Sequence, residues 1–196
     1  MSVYAVFFGG YKASKTDMGF WLASAKIVCG SEVEYDAYPY PEGKNNWGAK
    51  DAVNGFTKFD EAKEKIEKSD ADTKYIVGHS SGCAIANELN SRIEGDHSHI
   101  NLVDLDGFAP SHDQIKKSSL QVWSAEGAQG GQSLHHDDWG SFQSQLQVYT
   151  AHSATNVWSL HFSLVNTAVT DAITSSSDDD LKKGYAGCIA NLCWLK

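Results

Sequence analysis

Apolar and polar positions along this chain switch repeatedly between a period near two and a period near 3.6. "VYAVFF" (3–8) is apolar throughout, as a strand covered on both faces would be. In "DMGFWLASAKIV" (17–28), Phe20, Trp21, Ala25 and Val28 fall at helical spacing. "EVEYDAYPY" (32–40) alternates and runs into prolines, which predicts a strand leaving a sheet. "FDEAKEKIEKSD" (59–70) predicts a charged helix with a narrow stripe of Phe59, Ala62 and Ile66. "KYIVGHS" predicts a strand, and "CAIANELNSRI" (83–93) a helix with Ile85, Leu89 and Ile93 four residues apart.

Three more strands are predicted at 99–110, 120–126 and 146–151, then two helices at about 162–173 and 179–195. The last helix opens on "SSSDDD", whose side chains suit N-terminal capping and the helix dipole. The stretch 40–56 reads as a long surface loop bordering a binding site. Strands alternating with helices predict a single α/β domain, 1–196, built on a mainly parallel sheet of about six strands.

Composition narrows the partners. With 16 Lys and Arg against 25 Asp and Glu, the formal charge is -9, which argues against nucleic acid and a polybasic membrane contact. No apolar run is long enough to span a bilayer, and no signal core precedes the first strand, so the cytoplasm is the expected location. The four cysteines, at 29, 83, 188 and 193, lack zinc or redox spacing and read as free thiols.

The candidate chemistry centres on "GHSSG" (78–82), between a β-run and a helix. A Gly-x-Ser-x-Gly spacing suits a nucleophile on a tight strand-to-helix turn, because backbones pass close to the positions two before and two after the serine. Ser80 is therefore the candidate nucleophile, with Ser81 as a less symmetrically flanked rival. The N–H of Ser81 is the first candidate oxyanion donor. "FFGGYK" supplies the second, from the N–H of Gly10 or Tyr11 after the first strand.

Among eight histidines, His161 in "NVWSLHFSLVN" follows the last strand and directly precedes a helix-like stretch. His152 lies too near the strand end, and His79 neighbours the nucleophile but is expected to point elsewhere. For the acid, alternation puts Asp104 and Asp106 on one face. Only Asp106 stands at the strand terminus, where parallel sheets bind ligands. Asp104 is then a buried structural partner and Glu126 the reserve. "SLHHDDWG" (133–140) crowds His135, His136, Asp137 and Asp138 too closely to converge on one ion, so a solvated loop rather than a metal site is expected.

These residues resemble the thioesterase domains of non-ribosomal peptide and polyketide synthases, within the α/β-hydrolases. "GHSSG" is similar to their nucleophile motif. "LVDLDGFAP" is similar to their acid-bearing strand end, falling on Asp106. "DDWG", "LQVYTA" and "LHFSLVN" are similar to their C-terminal pattern, falling on His161. Two features depart from the pattern: only about a dozen residues (107–119) follow the acid before the next strand, and Trp158, Ser159 and Leu160 replace the small residue and glycine before the histidine. Any lid is therefore minimal or absent. The resemblance implies a cofactor-free serine hydrolase acting on an acyl thioester, whose substrate arrives free, on CoA or on an acyl or peptidyl carrier protein. A small carboxylesterase, or an inactive hydrolase-fold binding protein, is the alternative.

Overall fold

The computed structural model describes residues 2–29, 33–115, 118–127, 129–151 and 156–165. The expected helix 179–195 with its acidic cap, most of the expected helix 162–173, His152, Cys188 and Cys193 lie outside them. Six strands form one sheet: β1 (Val3–Phe8), β2 (Val33–Tyr38), β3 (Thr73–His79), β4 (Ile100–Leu105), β5 (Ser119–Gly127) and β6 (Leu146–Ala151). Every pairing is parallel, in the order β2-β1-β3-β4-β5-β6. The chain starts in the interior of the sheet, adds β2 on one side, then returns to build β3 to β6 on the other. Between β1 and β3 the winding reverses, and ligands of open parallel sheets bind at such switch points, beyond the carboxyl ends of the strands.

Helices cover both faces, which explains why β1 is buried at every position. On one face α1 (Lys15–Cys29) lays Met18, Trp21 and Ala25 against Phe7, Val77 and Val103. On the same face α6 (Val157–Ser163) and the residues after it add Leu160 and Leu164. The other face carries α2 (Ala49–Gly55), α3 (Phe59–Lys68) and α4 (Gly82–Arg92). The stripe read from the sequence of α3 is the one it buries: Phe59, Ala62 and Ile66 are all within the core. Burying Ile66 contributes about 2–3 kcal/mol.

One expectation needs correction here. The stretch 40–56 is not irregular throughout, since α2 forms within it and buries Ala52. Its short apolar signal gives no clear period, so packing rather than pattern decides it. Between β4 and β5 the described residues hold only α5 (His112–Ile115), one turn of helix.

Candidate functional site

The turn after β3 has the geometry that its glycines require. Ser80 adopts φ +54°, a left-handed conformation costing a non-glycine residue about 1–3 kcal/mol. Its N–H donates to the Leu105 carbonyl (3.0 Å), and its own carbonyl accepts from Cys83 N–H (3.0 Å), which holds the strained turn in place. A Cβ on Gly78 would lie 2.5 Å from the Cys83 Cα, and one on Gly82 only 2.2 Å from the Phe8 carbonyl oxygen. Neither position accepts a side chain, and that is the steric reason for the spacing.

Asp106 also has a left-handed φ, +48°. This breaks the strand alternation, so the expectation that Asp104 and Asp106 share a face fails. Leu102 faces α4 whereas Val103 and Leu105 face α1 and α6, so Asp104 sits on the α4 side and is wholly buried. Its oxygens make no hydrogen bond among the described residues, and burial pushes its carboxyl well above the ordinary range despite the Asn87 amide and Cys83 thiol beside it. Asp106 instead turns toward α6. Its Oδ1 accepts from the His135 N–H (3.1 Å), and its Oδ2 lies 2.5 Å from His161 Nδ1. Burial alone would raise this carboxyl. The bond to His161, the charge on that ring, Ser133 and the His135 N–H outweigh it and hold Asp106 below its ordinary value.

His161 lies within α6 rather than ahead of a helix, buried to 2% exposure. The sequence expectation that His79 points elsewhere is also overturned. Its ring packs against that of His161, centroids 4.6 Å apart, and its Nε2 donates to the His161 backbone carbonyl at 2.9 Å. Burial first, then the neighbouring His161, lowers the His79 pKa to about 3, so this ring is neutral. A residue beside Ser80 in sequence thus braces the helix that bears His161. Strand alternation puts His79 on the Val77 face, and the tertiary arrangement brings α6 over that face.

Ser80, His79 and His161 line one cavity of about 930 Å³, together with Gly10 and Tyr11. Gly10 is close enough to Ser80 that a Cβ there would come within 2.7 Å of the Ser80 Cβ. Among the described residues, no backbone carbonyl accepts from the N–H of Gly10, Tyr11 or Ser81. The Ser81 hydroxyl is committed elsewhere, donating to the Trp47 carbonyl at 2.5 Å. Glu126, the reserve acid, sits near the end of β5 in an isolated bridge with Gln132, and Asp106 takes the His161 Nδ1.

"SLHHDDWG" is not a solvated loop. His135 is buried on the cavity wall and bonds Asp138 (2.5 Å), and a 3₁₀ helix (His136–Gln145) drives Trp139 into a satellite core with Val122 and Phe142. Among the described residues, no cluster of His, Cys, Asp or Glu has the arrangement of a metal site. No helix among them is long and apolar enough to cross a membrane, and Cys83 is a buried free thiol.

No family model matches the chain, and no curated protein matches it by sequence. Solved structures do. A protein assigned to the α/β hydrolase superfamily from Xanthomonas campestris aligns over 97% of this chain and 99% of its own, at 10% identity and TM-score 0.54. Carboxyl esterase 2 from the fungus Tuber melanosporum aligns over 97% and 76%, at 9% identity and TM-score 0.53. A lipase-esterase related protein from Clostridium acetobutylicum aligns over 88% and 93%, at 12% identity and TM-score 0.51. At such identities the likeness lies in the architecture, and with the sheet order and the strained turn after β3 it establishes the α/β-hydrolase fold for this chain.

Proposed function

We propose that this protein is a serine hydrolase that cleaves acyl esters or thioesters through Ser80, His161 and Asp106. One observation carries the reading: a buried Asp106–His161 bond of 2.5 Å stands at a cavity that the strained Ser80 also lines. His161 Nε2 takes the Ser80 proton as Oγ attacks the acyl carbonyl, and Asp106 holds the ring by its Nδ1–H. The Ser81 N–H and that of Gly10 or Tyr11 receive the charge of the tetrahedral oxygen, one such donor contributing about a hundredfold in rate. Collapse expels the alkoxide or thiolate, which leaves with the proton from His161. Water then attacks the acyl-enzyme, its proton passing to His161, and the released acid restores Ser80. These steps draw on no cofactor.

The substrate reading is a small-molecule acyl donor, free or carried on CoA or a carrier protein, with neither nucleic acid nor membrane as partner and the cytoplasm as compartment. The thioesterase form of the reading rests on the resemblance of "GHSSG", "LVDLDGFAP" and "LHFSLVN". A fluorophosphonate probe should label the wild type and not Ser80→Ala. An unlabelled wild type would indicate a hydrolase-fold binding protein instead. Turnover of acyl-pantetheine against p-nitrophenyl esters then separates the two substrate classes, and a preference for oxygen esters by orders of magnitude would sink the thioesterase form.

A further inference from the structure

The cavity holds a second imidazole–carboxylate pair that this mechanism does not use. His135 Nδ1 lies 2.5 Å from Asp138 Oδ2, repeating the relation of His161 to Asp106. The His135 side chain is 7% exposed and that of Asp138 51%, so the carboxylate reaches solvent while the ring forms part of the wall. Its backbone N–H donates to Asp106 Oδ1, which fixes the ring relative to the catalytic acid. The His135 ring centroid is 6.0 Å from that of His161 and 5.1 Å from that of Phe108. Phe108 in turn stacks on Trp47 at 4°.

With Nδ1 engaged, Nε2 is the nitrogen left over. No described residue bonds it, and it is not among the buried polar atoms lacking a partner, so it is accessible on a side chain that lines the cavity. When Asp138 accepts the Nδ1–H, Nε2 presents a lone pair and accepts a hydrogen bond. The surrounding wall of Met18, Trp21, Trp47, Leu134 and Trp158 is apolar, which favours a neutral donor over a charged one. Among the described residues, Asp17 and Asp138 line the same cavity against Lys12 alone, a balance that disfavours an anion.

We propose that His135, held by Asp138, recognises a hydroxyl group on the substrate a few bonds from the acyl carbonyl, and so selects hydroxylated esters over plain ones. This rests on the serine-hydrolase reading of the cavity. The hydroxyl belongs either to the acyl chain or to the alcohol, and two matched pairs tell these apart. Ethyl 3-hydroxybutyrate against ethyl butyrate tests the acyl side, and 2-hydroxyethyl butyrate against propyl butyrate tests the alcohol side.

Affinities of all four esters are measured by calorimetry on Ser80→Ala, which needs no turnover. In one pair the hydroxylated member should bind about tenfold tighter, the scale of one good hydrogen bond in a dry site. Adding His135→Leu should abolish that preference, whereas His135→Gln, which keeps an acceptor oxygen, should retain part of it. Asp138→Asn, at a half-exposed position, should weaken the preference even if the leucine variant fails to fold. Equal affinities in both pairs, or a preference indifferent to His135→Leu and Asp138→Asn, would overturn the proposal. Probe labelling of the wild type reads the other claim. Labelling without hydroxyl preference sinks the recognition role alone, and preference without labelling sinks the hydrolase reading alone.

Discussion

At the scale of single residues, Ser80 and Asp106 stand in left-handed turns at strand ends, whereas His161 sits within the regular helix α6. The glycines around Ser80 announce a tight turn, and Gly107 marks where β4 must stop beside Asp106. His79 was not legible in the same way. Its role depends on which helix packs over its face, and only the tertiary arrangement decides that. Its burial has a measurable consequence. Unfolded, His79 takes a proton near its ordinary value of 6.5, whereas folded it does so only at about 3. Its contribution to stability is therefore fully present above pH 6.5 and is lost as pH falls from there toward 3. Thermal denaturation should show wild-type Tm dropping across this window, with a shallower drop in His79→Asn. Parallel curves for the two proteins would mean that the ring takes its proton as readily folded as unfolded.

Among the elements, strongly periodic segments declared themselves and short ones did not. The α3 stripe and the all-apolar β1 needed no context, because their burial follows from the pattern alone. The segment after β5 misled, since adjacent histidines and aspartates look like a solvated run. What fixes it is Trp139, wholly buried against Val122 and Phe142. That one indole anchors the 3₁₀ helix, and just before the helix comes the His135 N–H bonded to Asp106. Trp139→Ala should therefore cost about 3–5 kcal/mol in chemical denaturation, the usual range for emptying such a site. It should also lower kcat by loosening Asp106. Trp139→Phe, by contrast, keeps most of the packing and discards an indole N–H that finds no partner among the described residues. Its cost should be markedly smaller. A large kcat loss in the phenylalanine variant at near-native stability would show that the helix matters for something other than its anchor.

Across the whole molecule, charge bears on which form of the proposed acyl substrate would approach easily. The chain carries a formal -9, and among the described residues lining the cavity Lys12 is the single Lys or Arg, against Asp17 and Asp138. A polyanionic donor such as an acyl-CoA therefore meets net repulsion on approach. That repulsion is long-ranged at low salt, where the Debye length is about 30 Å, and is screened to about 8 Å at physiological ionic strength. A neutral p-nitrophenyl ester of the same acyl chain feels neither effect. Between roughly 0.01 M and 0.15 M salt, kcat/KM for the CoA thioester should rise several-fold while that for the neutral ester stays nearly flat. Stopped-time assays on the same preparation give both curves. If turnover of the CoA substrate falls with salt instead, attraction at the cavity mouth, with Lys12 as its first candidate, outweighs the field of the chain, and the acidic surface does not select against anionic carriers.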